Sequence, residues 1–281
     1  MSAPAAIAFE RYPARRGVLW LRHAYAMLSA HRLPWLFLLL LYYFVLTLIE
    51  RVPLIGPLAV PVLKPVFAVG FLAAAWAQER GEIPRPRHLF QGFRANLWVL
   101  LPLGSVFLVG VSVAVLATAL VDDGLLLDVL SGKVALDDPA LATGRTQVAM
   151  LFGALCALPV LLALWFAPAL VVFHECRTLR ALSTSLSAAL ANWRPIGVYA
   201  LLVFFYGAVL PGTAVTLISA LLPKSFAWPL ALLVVMPYLF LFVATLHISD
   251  YVCYRDIFHA NESPSADTAT AHSTPPSPPA A

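Results

Sequence analysis

The chain has 281 residues, of which 61% are hydrophobic and 11% are charged, and its formal net charge is +4. Soluble domains average about 45–50% apolar and about 25% charged residues, so this composition excludes a soluble enzyme. Uncharged apolar runs of about 18 residues or more indicate transmembrane helices. We therefore expect an all-α integral membrane protein.

Six apolar runs predict six transmembrane helices within a domain of residues 33–258. At about 1.5 Å per residue, each run can cross a hydrocarbon layer of roughly 30 Å, although the first run only just does so. The predicted spans are residues 33–49, 54–77, 97–121, 148–173, 195–222 and 226–248.

Positive charge is distributed unevenly between the segments that connect the spans. Twelve Lys and Arg residues lie before the first span, between the second and third, and between the fourth and fifth, whereas the opposite connections carry four. Because cytoplasmic loops carry the excess of Lys and Arg, this asymmetry predicts that both termini are cytoplasmic. The connection 122–146 contains five acidic residues, and we expect it in the periplasm.

The two ends of the chain have different expected structures. Residues 1–32 are predicted to form a cytoplasmic segment with an interfacial helix, and the late start of the first apolar run argues against a cleavable signal peptide. Residues 259–281 are rich in Ser, Thr, Pro and Ala, which cannot bury enough apolar surface to fold. We therefore predict a disordered cytoplasmic tail.

A weak internal repeat precedes the first, third and fifth spans. Each of these spans follows an amphipathic segment that ends in a polar residue beside Pro or Trp, namely His31, Asn96 and Asn192. Such a side chain can cap the next helix by accepting hydrogen bonds from its free amides. The pattern predicts amphipathic interfacial helices before spans 1, 3 and 5. The alternative is coincidence, since basic amphipathic linkers are common in multi-pass proteins.

Lys64 is the ionisable residue that the sequence places well inside a predicted span. An unpaired charge at the bilayer centre costs at least roughly 2.5–3.5 kcal/mol, so such residues often mark transport sites. If the outer turn extends to Pro57, Lys64 is shallower and its ammonium can snorkel toward the headgroups. Pro65 belongs to a series of prolines at four-residue spacing, which indicates a structural kink or, in transporters, a binding site.

Other residues lie near the predicted membrane boundaries. Trp165 and Pro168 are expected to anchor the fourth span at the headgroup level, where amphipathic aromatic residues accumulate. Two pairs could titrate near neutral pH, and we interpret them as solvated boundary residues: His174 with Glu175, and His247 with Asp250.

The sequence contains no convincing catalytic or cofactor motif. His174-Glu175-Cys176 lacks the second histidine of a zinc-protease helix, and Gly132-Lys133 lacks the earlier glycine of a phosphate loop. The three widely spaced cysteines indicate neither a disulfide framework nor a metal site. Without such motifs, we expect no enzymatic activity and no cofactor. We also expect no nucleic-acid partner, because the basic residues flank apolar runs, where they usually fix the topology of the chain in the membrane.

Five short blocks carry a resemblance to a known family. They are Ile55-Gly56-Pro57 with Pro65 and Gly70, the run RHLFQGF at 87–93, the run WFAPAL at 165–170, residues 181–195, and Tyr254-Arg255-Asp256-Ile257-Phe258. Through these blocks the chain resembles an uncharacterised family of proteobacterial multi-pass inner-membrane proteins and, more distantly, the YciC-like membrane proteins. The resemblance covers about residues 12–258. It implies a bacterial inner-membrane protein with six helices, and it implies no particular activity.

The sequence favours a structural or accessory protein that organises lipid or a partner at the cytoplasmic face. Each Arg near an anionic leaflet adds roughly 1 kcal/mol of attraction. The expected partners are the lipid bilayer and another membrane protein or a second copy of the chain. The alternative is a transporter or channel for a small or lipidic solute, built around Lys64. The candidate residues are Lys64, Pro65, Asn96, Trp165, Pro168, Asn192 and Arg255.

Overall fold

The computed structural model describes residues 7–135 and 138–258, and all regular structure in these residues is helical. The predicted tail 259–281, the first six residues and Asp137 of the acidic connection lie outside the described residues. The helices are α1 (Arg16–Ala30), α2 (Arg32–Glu50), α3 (Gly56–Glu79), α4 (Pro86–Leu89), α5 (Leu97–Asp122), α6 (Leu125–Leu130), α7 (Gly144–Trp165), α8 (Ala167–Phe173), α9 (Thr178–Ala191), α10 (Trp193–Phe204), α11 (Leu210–Leu221) and α12 (Lys224–Phe258).

Six helical stretches in the described residues are long and apolar enough to cross a membrane, which confirms the predicted number of spans. They are α2, α3, α5, α7 with α8, α10 with α11, and α12. The main difference is that the last helix is longer than the last predicted span: we predicted the span to end at Ile248, and α12 continues to Phe258. With 35 residues, α12 is about 52 Å long and extends beyond a hydrocarbon layer of roughly 30 Å.

The bundle has two chemically different ends. The basic end carries α1, α4, α9 and the last turns of α12, and the loop end carries α6. At the basic end, α1 packs against α10 and α12, and α9 packs against α7 and α8. Trp20, Trp35 and Tyr254 are fully buried in this region. By contrast, the outer faces of the spans expose large apolar side chains such as Leu120 and Leu201, as lipid contact requires.

The fourth span is interrupted between α7 and α8. Pro168 lacks a backbone N–H, and its ring clashes with a continuous helix. A hydroxyl group from α9 repairs the interruption: Ser185 Oγ donates to the carbonyl of Leu162 at 2.9 Å and accepts from the N–H of Phe166 at 3.0 Å. Ser185 is fully buried. This insertion fixes the position of Trp165, the last residue of α7.

The fifth span is also irregular. A five-residue π-helical turn, Phe205–Val209, joins α10 to α11 just before Pro211. The proline cannot donate to the preceding turn, so a local change of helical pitch is the expected consequence.

Helices occupy the three positions where the sequence repeat predicts interfacial segments. The first and third are α1 and α9, whereas the second is shorter than expected and consists of α4 followed by a 3-10 turn, Gln91–Arg94. In α9, the small and polar face packs inside the protein, because Ala181, Ser185 and Ala188 are fully buried. Leu179 on the larger apolar face is exposed. The location of these helices at a membrane interface remains a prediction.

Candidate functional site

A lateral cleft of about 530 Å³ opens between α2, α3, α5, α7, α10 and α12. Its volume lies within the range of small-molecule sites, about 300–1,000 Å³. The walls are mainly apolar and include the rings of Tyr42, Phe71, Phe107 and Trp165. Three ionisable side chains line the same cleft, namely Lys64, His247 and Asp250.

The cleft lies between helices that do not pack closely against each other. α7 packs along α5, and α11 packs along α12, but no comparable packing joins α7 to α11 or α12 among the described residues. At the basic end, Trp165 bridges the gap: its Nε1–H donates to Asp250 Oδ1 at 3.1 Å, and its ring centroid lies 5.5 Å from that of Tyr199. The cleft is therefore closed by Trp165 at this end and open at its side.

Lys64 lies on the α3 wall of the cleft. It is eight residues from Gly56, the first residue of α3, and therefore about 12 Å along the helix. The start of α3 at Gly56 lies between the two starts considered from the sequence, Leu54 and a turn extending to Pro57, and the depth of Lys64 in the membrane remains a prediction. The ammonium lies 4.8 Å from the centroid of the Phe107 ring, a cation–π contact. No carboxylate of the described residues lies within salt-bridge distance of it, so the charge is available to a solute.

His247 and Asp250 lie one helical turn apart on α12 and face the same cleft. The imidazole of His247 stacks on the ring of Phe71, with centroids 3.9 Å apart, and meets the ring of Tyr42 edge-on at 5.9 Å. Both side chains are half-buried, so they are less exposed than the solvated positions expected from the sequence, and their location at a membrane boundary remains a prediction. By contrast, Glu175 of the other pair is exposed.

The three ionisable residues are spread along the cleft axis. Lys64 is seven residues before Phe71 on α3, which places it about 10 Å nearer to the loop end than the stacked imidazole of His247. Asp250 follows at the basic end of the cleft. A solute in the cleft would therefore meet a cation at one end and a carboxylate at the other. In the described part of the chain, no group of three or more His, Cys, Asp or Glu side chains could hold a metal ion.

The structure brings together four of the residues selected from the sequence, since Lys64, Pro65, Trp165 and Pro168 all line the cleft. The other three, Asn96, Asn192 and Arg255, lie at the basic end outside it. Sequence reasoning missed Tyr42 and Phe107 because nothing distinguishes them from other aromatic residues of apolar spans. The spacing of His247 and Asp250 by one turn of an apolar helix was the available signal for that pair.

Arg255 belongs to a network that joins α3, α1 and the end of α12. Its guanidinium forms an ion pair with the carboxylate of Glu79, to which the hydroxyl of Tyr251 also donates. The neighbouring Asp256 accepts from Arg16 Nε at 2.6 Å and from Trp20 Nε1 at 2.8 Å. This network explains why α12 remains helical beyond its apolar part.

Asn96 and Asn192 do not form the predicted side-chain caps. Both residues precede the first turn of a helix, but neither side chain bonds to the free amides of that helix. Asn192 instead holds the N-terminal segment, because Oδ1 accepts from the N–H of Tyr12 at 2.9 Å and Nδ2 donates to the carbonyl of Glu10 at 2.9 Å. Asn192 is 1% exposed, so a distant contact replaces the expected local one.

This difference gives the two asparagines unequal expected effects on stability. We expect Asn192→Ala to destabilise the protein by about 2–3 kcal/mol, because it leaves backbone groups of the N-terminal segment without partners. Asn96→Ala should change stability by less than about 0.5 kcal/mol, since the side chain is exposed. Thermal unfolding of the two variants in detergent measures the difference. Equal losses would contradict the assigned role of Asn192.

Comparison with known proteins agrees with the membrane fold. No protein-family model matches the chain, and no solved structure matches it. The chain is 32% identical over 255 residues to a curated protein of Burkholderia thailandensis named as a probable inner membrane protein, with 89% of this chain and 93% of that protein covered. The chain therefore belongs to the family of this probable inner membrane protein, and its own described residues contain six candidate spans.

Proposed function

We propose that this inner-membrane protein is a transporter for a small or lipidic solute, which binds in the lateral cleft. The observation that carries the proposal is the presence of Lys64, His247 and Asp250 in one cleft between apolar helices. Ionisable residues on transmembrane helices are rare and often mark solute or ion pathways when they face the interior of the bundle. A purely structural bundle would gain stability from apolar side chains at these positions.

The cleft suggests which chemical features of a solute it would recognise. An anionic group would pair with the ammonium of Lys64, and a hydrogen-bond donor would reach Asp250 at the other end. Apolar parts of the solute would pack against Phe71 and Phe107. Because low-dielectric walls strengthen charge pairing, these contacts are worth more here than at a water-exposed surface. The open side would admit a lipidic solute directly from the bilayer.

Replacement of the cleft cation tests this proposal. We expect Lys64→Gln to lose at least one molecule that co-purifies with the wild-type protein, detected by mass spectrometry after extraction, because it removes the unpaired charge. Lys64→Arg should retain that molecule, since the positive charge remains. The identified molecule then serves as the probe for uptake into proteoliposomes, where Lys64→Gln should abolish uptake at unchanged protein levels.

A steric variant provides an independent control for the same site. Ala200→Trp places an indole in the cleft, because Ala200 lines it, whereas Ala220→Trp adds the same group at an exposed position of α11. We expect the first substitution, and not the second, to displace the co-purifying molecule. Identical sets of bound molecules in the wild-type, Lys64→Gln and Ala200→Trp proteins would refute a solute site in the cleft.

The charge distribution supports a second proposal, an accessory role in organising lipid or a partner at the cytoplasmic face. The basic segments gather at one end of the bundle, and by the positive-inside rule this end faces the cytoplasm together with both termini. Neither proposal assigns a catalytic reaction to the protein. The two proposals involve different surfaces, so one can fail without the other.

A further inference from the structure

A second pocket lies at the basic end, away from the cleft. It has a volume of about 510 Å³ and is formed by the last turns of α3, the end of α8 and the segment of α4 with its 3-10 turn. Its two sides differ in chemistry. The apolar side includes Leu72, Trp76 and Phe173, and the polar side includes Arg87, Gln91 and Arg94, together with His88.

Two glycines fix the polar side of the pocket against α3. A Cβ atom on Gly92 would overlap the carbonyl oxygen of Val66, and one on Gly70 would overlap the carbonyl of Leu89. The two backbones are therefore in direct contact, and Leu89 is fully buried between them. The polar side chains consequently project from a rigid segment rather than from a loose loop.

His88 presents a fixed hydrogen-bond donor to this pocket. Its Nδ1 accepts from the N–H of Arg85 at 3.1 Å, so the neutral ring carries its proton on Nε2. Burial, assisted by the charge of Arg87, lowers the pKa of His88 and keeps the ring neutral near pH 7. The side chain is buried, with 4% of the residue exposed. Among the described residues, no acceptor bonds to Nε2.

The charge of the pocket favours an anion. Arg87 contacts Glu82 at 3.8 Å, but both side chains are more than half exposed, so this pair holds the guanidinium only weakly. No carboxylate of the described residues pairs with Arg94. The pocket therefore has an excess of donors over acidic groups. Its lining contains a single carboxylate, that of Glu82, and four donor groups, those of Arg87, Arg94, His88 and Gln91. Arginine forks match the geometry of phosphate oxygens.

The position of the pocket selects the kind of phosphate. Trp76 is 44% exposed at the end of α3, and the guanidinium of Arg80 lies 4.6 Å from its ring centroid. Trp beside Arg at the end of a span is typical of the headgroup level of a bilayer. The apolar side of the pocket continues along α3 into the span. A soluble phosphate would leave this side empty, whereas a lipid would fill both sides.

We propose that this headgroup pocket binds the phosphate of an anionic phospholipid, with the acyl chains along the apolar side. The Arg87 and Arg94 guanidinium groups and His88 Nε2–H donate to the phosphate oxygens, and Trp76 and Phe173 contact the hydrocarbon. The site is independent of the lateral cleft. It assigns a ligand to the run 87–93, which the solute proposal does not use.

Native mass spectrometry of the full chain in detergent tests the site with phosphatidylglycerol as the probe. We expect the double variant Arg87→Gln/Arg94→Gln to bind phosphatidylglycerol about tenfold more weakly than the wild type, because it loses charge-assisted hydrogen bonds. The matched control is Arg177→Gln/Arg194→Gln, which removes the same charge from exposed positions at the same end. It should retain wild-type affinity. An equal loss in both double variants would overturn the proposal and assign the effect to general attraction.

Two further arms keep the test decisive if the arginine variants fold poorly. Ala73→Phe fills the apolar side without changing charge, since Ala73 lines the pocket, and it should weaken phosphatidylglycerol binding while Ala220→Phe does not. In the wild type, phosphatidylcholine and glycerol 3-phosphate should both bind more weakly than phosphatidylglycerol. Equal binding of phosphatidylcholine would refute recognition of net anionic charge. Equal binding of glycerol 3-phosphate would refute the lipid and assign the pocket to a soluble phosphate.

Discussion

We expect Gly92→Ala to destabilise the folded protein by about 3 kcal/mol, at the upper end of the usual range for overpacking. The added methyl group would overlap the carbonyl oxygen of Val66. This oxygen belongs to the backbone of α3, so the clash cannot be relieved by a change of rotamer. The 3-10 turn must move away from α3 instead. For a chain of this size, the unfolding temperature should fall by on the order of 10 °C.

Gly212→Ala is the matched control for this substitution. Apart from the adjoining backbone of its own helix, no atom of the described residues lies within 4 Å of the position that its Cβ would occupy, and Gly212 lies inside α11. Alanine is favoured over glycine in a helix by up to about 1 kcal/mol, so this variant should be neutral or more stable. Thermal unfolding of both proteins in one detergent gives the comparison. If Gly92→Ala melts at the wild-type temperature, the close packing of α3 on the turn is incorrect.

The six spans could be predicted from the sequence because span formation is a local property. A run of about twenty apolar residues satisfies its own backbone hydrogen bonds as a helix, whatever its neighbours are. The continuation of α12 beyond the last predicted span depends on distant residues and was not predicted. Polar residues such as Asp256 lower the local hydropathy after Ile248. Asp256 pairs with Arg16, and Arg255 pairs with Glu79. Both partners lie far away in the chain, and these contacts keep this part of α12 helical.

The candidate site shows the same division between local and distant information. Lys64 was identified from the sequence because a lysine within an apolar run is unusual on its own. The facing residues His247 and Asp250 were assigned to a solvated boundary, since nothing local indicates that α12 packs beside α3. For Asn192, the sequence suggested a local contact, whereas the structure shows a distant one. Its position before α10 suggested a local cap, but contacts with the N-terminal segment satisfy its side chain instead.

The structure separates the molecule into a sparsely packed part and a densely packed part. Many side chains of the spans face outward, whereas the core is concentrated at the basic end, where Trp20, Trp35 and Tyr254 are fully buried. Helix association within lipid lacks a hydrophobic driving force, so the basic end supplies much of the specificity that holds the spans together. Substitutions in its hydrogen-bond network should therefore affect the whole bundle.

Asp256→Ala should be the most damaging substitution in this network, with an expected loss of about 3 kcal/mol. The carboxylate accepts from Arg16 Nε and Trp20 Nε1 through one oxygen, Oδ2. Its removal leaves the indole N–H of a fully buried tryptophan without an acceptor, at a cost of about 1–3 kcal/mol. It also removes the charged hydrogen bond to Arg16, although the partial exposure of that side chain reduces this loss.

The exposed pair of Asp128 with Lys133 provides the control, because it has the same kind of contact without burial. Lys133 Nζ lies 3.1 Å from Asp128 Oδ1, but the side chains of Asp128 and Lys133 are 44% and 73% exposed. Asp128→Ala should therefore cost at most about 1 kcal/mol of stability. Asp256→Asn should fall between the two alanine variants, since its amide oxygen still accepts from Trp20. Unfolding temperatures in detergent rank the three proteins. Equal stability of the Asp256→Ala and Asp128→Ala proteins would mean that the Asp256 contacts do not hold α1 against α12. In that case, we would expect α1 to detach without unfolding of the spans.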